Sequence, residues 1–99
     1  MEYLNQVYNS LKNFNGVLHV LMVVNSTVIF TTRLCEDILC KFVGGKLLLT
    51  DRQTNLYFNN DEIQKVEKTQ GDDELCESID IQLTNEVHIK IFKEVDILY

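Results

Sequence analysis

The side chains best suited to thiolate or soft-metal chemistry are Cys35, Cys40, Cys76, His19 and His88. Zinc sites draw on cysteine pairs two to four residues apart with a matching second pair, and Cys35-x4-Cys40 has no such companion. We expect no metal site. A cysteine nucleophile needs an imidazole within hydrogen-bond reach and a third group to orient it, yet no local nucleophile signature surrounds any of the three thiols. Cysteine more commonly serves as a small buried hydrophobe. A cysteine-dependent enzyme is therefore an alternative reading and not the leading one. His19 lies in an apolar stretch and reads as a core or sheet-face residue; His88 falls beside Lys90 on a polar face and reads as solvated.

Gly44-Gly45-Lys46 supplies a fragment of a phosphate-binding loop without the remaining spacing of one. The carboxylate pairs Asp61-Glu62 and Asp72-Asp73 lack the twelve-residue calcium-loop pattern around them. No cofactor is expected. The formal charge of −6, with only 9 Lys and Arg, argues against nucleic acid as a ligand, because that affinity rests on cations displacing counterions from phosphate.

What remains is recognition of other proteins. Asp72, Asp73, Glu74 and Glu77 form an acidic run that could face a basic partner, although such runs also serve as solvated surface. Tyr57 and Phe92 fall opposite the apolar faces of their strands and join this candidate partner-binding set, since aromatics are enriched at interface centres. The leading expectation is a small, acidic, non-enzymatic interaction protein of inhibitor, immunity or adaptor type. A second expectation is an oligomer that holds a small metabolite or nucleotide between subunits, with Arg33, Lys46 and Arg52 as the anion contacts.

The elements that must position these groups can be read from periodicity. Tyr3, Leu4, Val7, Tyr8, Leu11 and Phe14 share one face of a helix over residues 2–14, and Asn15-Gly16 offers the residue types of a left-handed C-cap. Residues 16–33 read as a hairpin about Asn25-Ser26, pairing Val24 with Thr27, Val23 with Val28, Met22 with Ile29 and Leu21 with Phe30. Apolar pairs then occur on both faces of the ribbon. One face can take the helix; the other needs a second helix, another sheet or another copy of the chain, so self-association is expected.

Residues 31–45 admit two readings. We take the helix, in which Leu34, Ile38, Leu39 and Phe42 share a face and Gly44-Gly45 end it. The competing strand alternates Ile38, Cys40 and Phe42 and turns through Gly44-Gly45 into Leu47 and Leu49. A further hairpin pairs Leu47 with Phe58 and Leu49 with Leu56 around a four-residue loop, Asp51 to Thr54. Asn59 stands three residues before Glu62 and suggests a short helix carrying Ile63 and Val66, with a strand through Val66 as its competitor. In the last hairpin only a three-residue loop, Thr84 to Glu86, keeps one face dry: Leu83 then opposes Val87, Ile81 opposes Ile89, Ile79 opposes Ile91, and Asp80 lies across from Lys90.

These elements predict one α+β domain over residues 1–99: a mainly antiparallel sheet of three hairpins, with an N-terminal helix and one or two further helices packed on it. A small β-barrel with an N-terminal helix is the alternative. No apolar run approaches the roughly 18 to 20 residues of a membrane span, and no secretory pattern opens the sequence. With an odd number of cysteines, a cytoplasmic location is expected.

Overall fold

The computed structural model describes residues 2–12, 16–35, 37–70 and 77–94. Helix α1 (Glu2–Leu11) is followed by strands β1 (Val17–Val24), β2 (Thr27–Leu34), β3 (Leu39–Val43), β4 (Lys46–Thr50) and β5 (Asn55–Phe58). A single 3-10 turn (Asn60–Glu62) leads into β6 (Lys65–Gln70), β7 (Glu77–Gln82) and β8 (Val87–Glu94). The strands form two antiparallel sheets, β2-β1-β8-β7-β6 and β3-β4-β5. Both sheets are open, so the barrel alternative is not the architecture.

Helix α1 forms because Leu4, Val7 and Leu11 recur on one face, and all three are buried. Tyr3 and Tyr8 pack on the margin of the same cluster, while Phe14 lies outside the described residues. The cluster joins α1 to Leu18, Val20 and Ile91 of the larger sheet and to Leu47, Leu49 and Phe58 of the smaller one. Each fully buried leucine or isoleucine contributes about 1.5–3 kcal/mol relative to an exposed one, so this shared core ties the layers together. Its upper end is also capped across the chain: the Asn60 side-chain oxygen accepts hydrogen bonds from the backbone N–H of Tyr3 (3.0 Å) and Leu4 (3.2 Å).

The first hairpin turns at Asn25-Ser26 as expected, with both residues at positive φ (51° and 64°), the backbone that matches the right-handed strand twist. Its outer register differs from the sequence expectation. Val24 pairs with Thr27 and Val23 with Val28, but Met22 then pairs with Phe30 and Leu21 with Thr31. Ile29 is the extra residue of a β-bulge, which bends β2 and strengthens the local twist.

The favoured helix over residues 31–45 is not formed. Residues 31–34 continue β2 against β1, and Asp37 at φ 52° breaks any helical path. Gly44 and Gly45, at φ +57° and +80°, make the tight turn instead, setting Phe42 opposite Leu47 and Cys40 opposite Leu49. Local helix signals lose here because β4 is the central strand of its sheet and needs a hydrogen-bonded neighbour on each side. On the other side of β4, Leu47–Phe58 and Leu49–Leu56 pair as expected.

The short helix after Asn59 is likewise reduced to one 3-10 turn, capped by the Asn59 side chain accepting from Asp61 N–H. Val66 belongs to strand β6 and pairs with Ile81. The last hairpin has the expected register, Ile79–Ile91, Asp80–Lys90 and Ile81–Ile89, and Leu83 N–H donates to the Val87 carbonyl across the loop. No additional α-helix packs on the sheets among the described residues; the smaller sheet and α1 together cover one face of the larger.

Candidate protein-binding surface

Strand β2 lies at the edge of the larger sheet. From Thr27 to Thr32 it carries no charge, and its three consecutive large apolar residues are open to solvent: Val28 is 52% exposed, Ile29 58% and Phe30 47%. Strand edges present unpaired backbone N–H and C=O groups, and soluble proteins commonly guard them with charge. The opposite edge, β6, is guarded in this way by Lys65, Glu67 and Lys68.

Two depressions flank β2. On the sheet face turned from the core, a shallow groove of about 590 Å³ is lined by Leu21, Val23, Val28 and Phe92, with Asp80, His88 and Lys90 on its polar side. The tips of two hairpins meet at its end, where Asn25 N–H donates to the Glu86 carbonyl (3.0 Å). On the core side, a smaller apolar cleft of about 150 Å³ opens between the sheets, lined by Val20, Met22, Phe30, Leu56, Tyr57 and Ile89 among others. The apolar surface therefore bends around the β2 edge.

The polar side of the groove holds an ordered pair. Asp80 lies across from Lys90 as the register requires, but its carboxylate accepts a hydrogen bond from His88 Nδ1 at 2.8 Å. His88 is therefore half-buried and oriented, a correction to its reading as a solvated side chain. The cause is geometric: Asp80 and His88 are diagonal cross-strand neighbours, and long side chains on one face reach each other at that spacing. Beside them Lys65 pairs with Glu67, which raises the lysine pKa through the hydrogen bond and lowers the glutamate pKa for the same reason. His19 sits on the same sheet face and pairs with Glu94, whose pKa is lowered by that hydrogen bond.

The aromatic members of the sequence-derived set are exposed to different degrees and on different sides. Tyr57 is 60% exposed at the mouth of the apolar cleft, and no helix among the described residues covers it. Phe92 lines the groove on the opposite side of the sheet. Glu77 opens β7 opposite Gln70, whereas Asp72, Asp73 and Glu74 lie outside the described residues. The three cations do not converge. Lys46 and Arg52 lie at opposite ends of β4, Arg33 is on β2, and the Arg52 guanidinium is held by the Asp37 carboxylate at 2.7 Å.

Cys40 faces the core, and burial pushes its thiol pKa up to about 11, opposite to what a nucleophile requires. Cys35 is an exposed free thiol at the end of β2, and no group of three or more metal-ligating side chains is assembled among the described residues. The edge role of Val28, Ile29 and Phe30 was not read from the sequence, although one signal was present: an apolar strand with no charge before Arg33. Comparisons with protein-family models, curated proteins and solved structures found no match to this chain.

Proposed function

We propose that this chain is a small non-enzymatic interaction protein, of inhibitor, immunity or adaptor type, that takes hold of a protein partner through the β2 edge. The observation that carries the reading is the run Val28-Ile29-Phe30, exposed on the uncharged stretch Thr27 to Thr32 of an edge strand, between two depressions with apolar lining. Exposed apolar surface of this kind marks interaction sites, and an open edge adds backbone hydrogen bonds to the affinity. The acidic balance of the chain supports solubility and a preference for partners without excess negative charge. The free thiols of Cys35 and Cys40 fit a reducing compartment such as the cytoplasm.

The test compares three forms of the full chain in quantitative capture of the same partner from cells of the source: unmodified, Phe30→Glu, and a form with Asp72, Asp73, Glu74 and Glu77 all changed to their amides. We expect Phe30→Glu to lower capture at least tenfold at unchanged circular dichroism, and the amide form to retain it. Retention by Phe30→Glu with loss in the amide form would move the binding surface to the acidic run.

A further inference from the structure

We propose that the outward face of the smaller sheet is a second protein-binding surface, and that its occupant is an acidic amphipathic helix of a partner protein. The proposal concerns a surface other than the β2 edge and does not depend on it.

Strand parity builds the face. Leu47, Leu49 and Phe58 point into the shared core, so the residues that alternate with them along β4 and β5 point away from it. One cross-strand row of this outward face is Lys41, Leu48 and Tyr57. Leu39 stands in the row on one side of it, and Val43 pairs with Lys46 on the other, next to the Gly44-Gly45 turn. Leu39, Val43 and Tyr57 are exposed, while Leu48, 8% exposed on the central strand, forms the floor between its neighbours. The remaining outward positions, Thr50 and Asn55, carry no charge.

The charge on the face names the chemistry of the partner. The chain holds 15 acidic residues against 9 basic, yet this face carries two lysines and no carboxylate. Elsewhere in the sheets Lys65 is held by Glu67, and Lys90 lies across from Asp80. Lys41 and Lys46 are exposed and have no carboxylate partner among the described residues. They stand diagonally across the β3–β4 pair, where like charges repel, so an incoming carboxylate relieves that repulsion and adds its own attraction. The acidic balance of the rest of the chain does not cancel this. Exposed charges are screened beyond about 8 Å at physiological salt, and the lysines act at contact.

The outline of the face selects a helix. Three strands about 4.8 Å apart match the roughly 10 Å diameter of a helix, and the length of β4 corresponds to about three helical turns. A strand added to the open edge of β3 or β5 would lie beside the face and leave Leu48 uncovered. A helix lying along β4 sets one apolar stripe over Leu39, Leu48 and Tyr57 and brings acidic residues beside that stripe to Lys41 and Lys46. Nucleic acid gains less here, because two cations release few counterions and Tyr57 offers a single ring for stacking.

Two synthetic amphipathic helical peptides test the proposal. Both carry the same leucine stripe, flanked in one by glutamates and in the other by glutamines, and binding to the full chain is read by fluorescence anisotropy. We expect the glutamate peptide to bind at least fivefold more tightly, the sum of a few exposed ion pairs, and the difference to shrink as salt rises. The double variant Lys41→Glu/Lys46→Glu should lose this preference, and Phe30→Glu should keep it. Amide chemical-shift changes in the unmodified chain should centre on residues 41, 48 and 57, which decides the matter should the double variant unfold. Binding of neither peptide, equal binding of both, a preference that survives charge reversal, or shifts confined to residues 27–34 would each overturn the proposal. Tighter binding of an oligothymidylate than of the glutamate peptide would overturn it as well. Loss of partner capture on Phe30→Glu alongside any of these results would leave the β2 reading standing and remove only the second surface.

Discussion

Asn60 caps a helix that begins more than fifty residues before it: its side-chain oxygen accepts from the N–H of Leu4 at 3.2 Å and from that of Tyr3 at 3.0 Å. Those N–H groups have no partner within the helix, so tertiary structure supplies this cap. Asn60→Ala should lower the unfolding free energy by about 1 kcal/mol, the usual cost of losing an N-terminal cap, as read by urea denaturation. Asn60→Asp keeps an acceptor and adds a charge that favours the helix N-terminus, so it should cost less than the alanine.

The β3–β4 turn should be intolerant of side chains for backbone reasons alone. A Cβ at Gly45 would meet nothing within 4 Å, yet φ is +80°. Gly45→Ala should therefore destabilise by about 1–2 kcal/mol through conformational strain. Gly45→Asn, a residue that tolerates this region, should recover part of that loss in the same denaturation assay.

Acid sensitivity should follow Asp51. Partial burial raises its pKa, but the N–H groups of Gln53 (2.8 Å) and Thr54 (2.7 Å) donate to its carboxylate and prevail, leaving the pKa below the ordinary value. A carboxylate with a depressed folded-state pKa contributes stability above its unfolded value, about pH 4, and loses it as pH falls through the folded value. Asp51→Ala should thus be less stable than the unmodified chain at pH 7, and the gap should narrow below about pH 4. A gap that stays constant down to pH 2 would show that the carboxylate charge contributes nothing.

The two described thiols should differ in reactivity. Cys35 is exposed, whereas the Cys40 thiol is partly buried with a pKa raised to about 11. Alkylation at pH 7.5 followed by peptide mass spectrometry should modify Cys35 first, with Cys40 reacting only as the chain opens. Cys40 modified faster than Cys35, or faster than a free cysteine control, would revive the cysteine-enzyme reading.

Much of the fold was legible where a single parity governs both arms of a hairpin. Ile79, Ile81, Ile89 and Ile91 admit one loop length that keeps them on a common face, and the register is the one they specify. The Leu47–Phe58 and Leu49–Leu56 pairs follow from the same constraint. Residues 31–45 misled because Leu34, Ile38, Leu39 and Phe42 satisfy a helical period and a strand period well enough that local sequence does not decide. The need of β4 for a second neighbour decides, and that need exists only in the assembled sheet. The candidate surface was half visible: apolar pairs on both faces of the first hairpin announced a missing cover. Nothing local said that β2 would be an outer strand or that Ile29 would sit in a bulge, since both depend on β8 occupying the other side of β1.

That pairing of β1 with β8, Val17 opposite Glu94 through Val24 opposite Val87, also sets the order of events during synthesis. β1 leaves the ribosome with only β2 to pair with and gains its second neighbour after about seventy more residues have been made. Until then the first hairpin carries its apolar side chains unsheltered, in a chain whose closing step joins segments distant in sequence. Such non-local closure slows folding and prolongs the interval in which nascent chains associate wrongly. The yield of active protein should therefore depend on translation speed and chaperone supply more than its small size suggests.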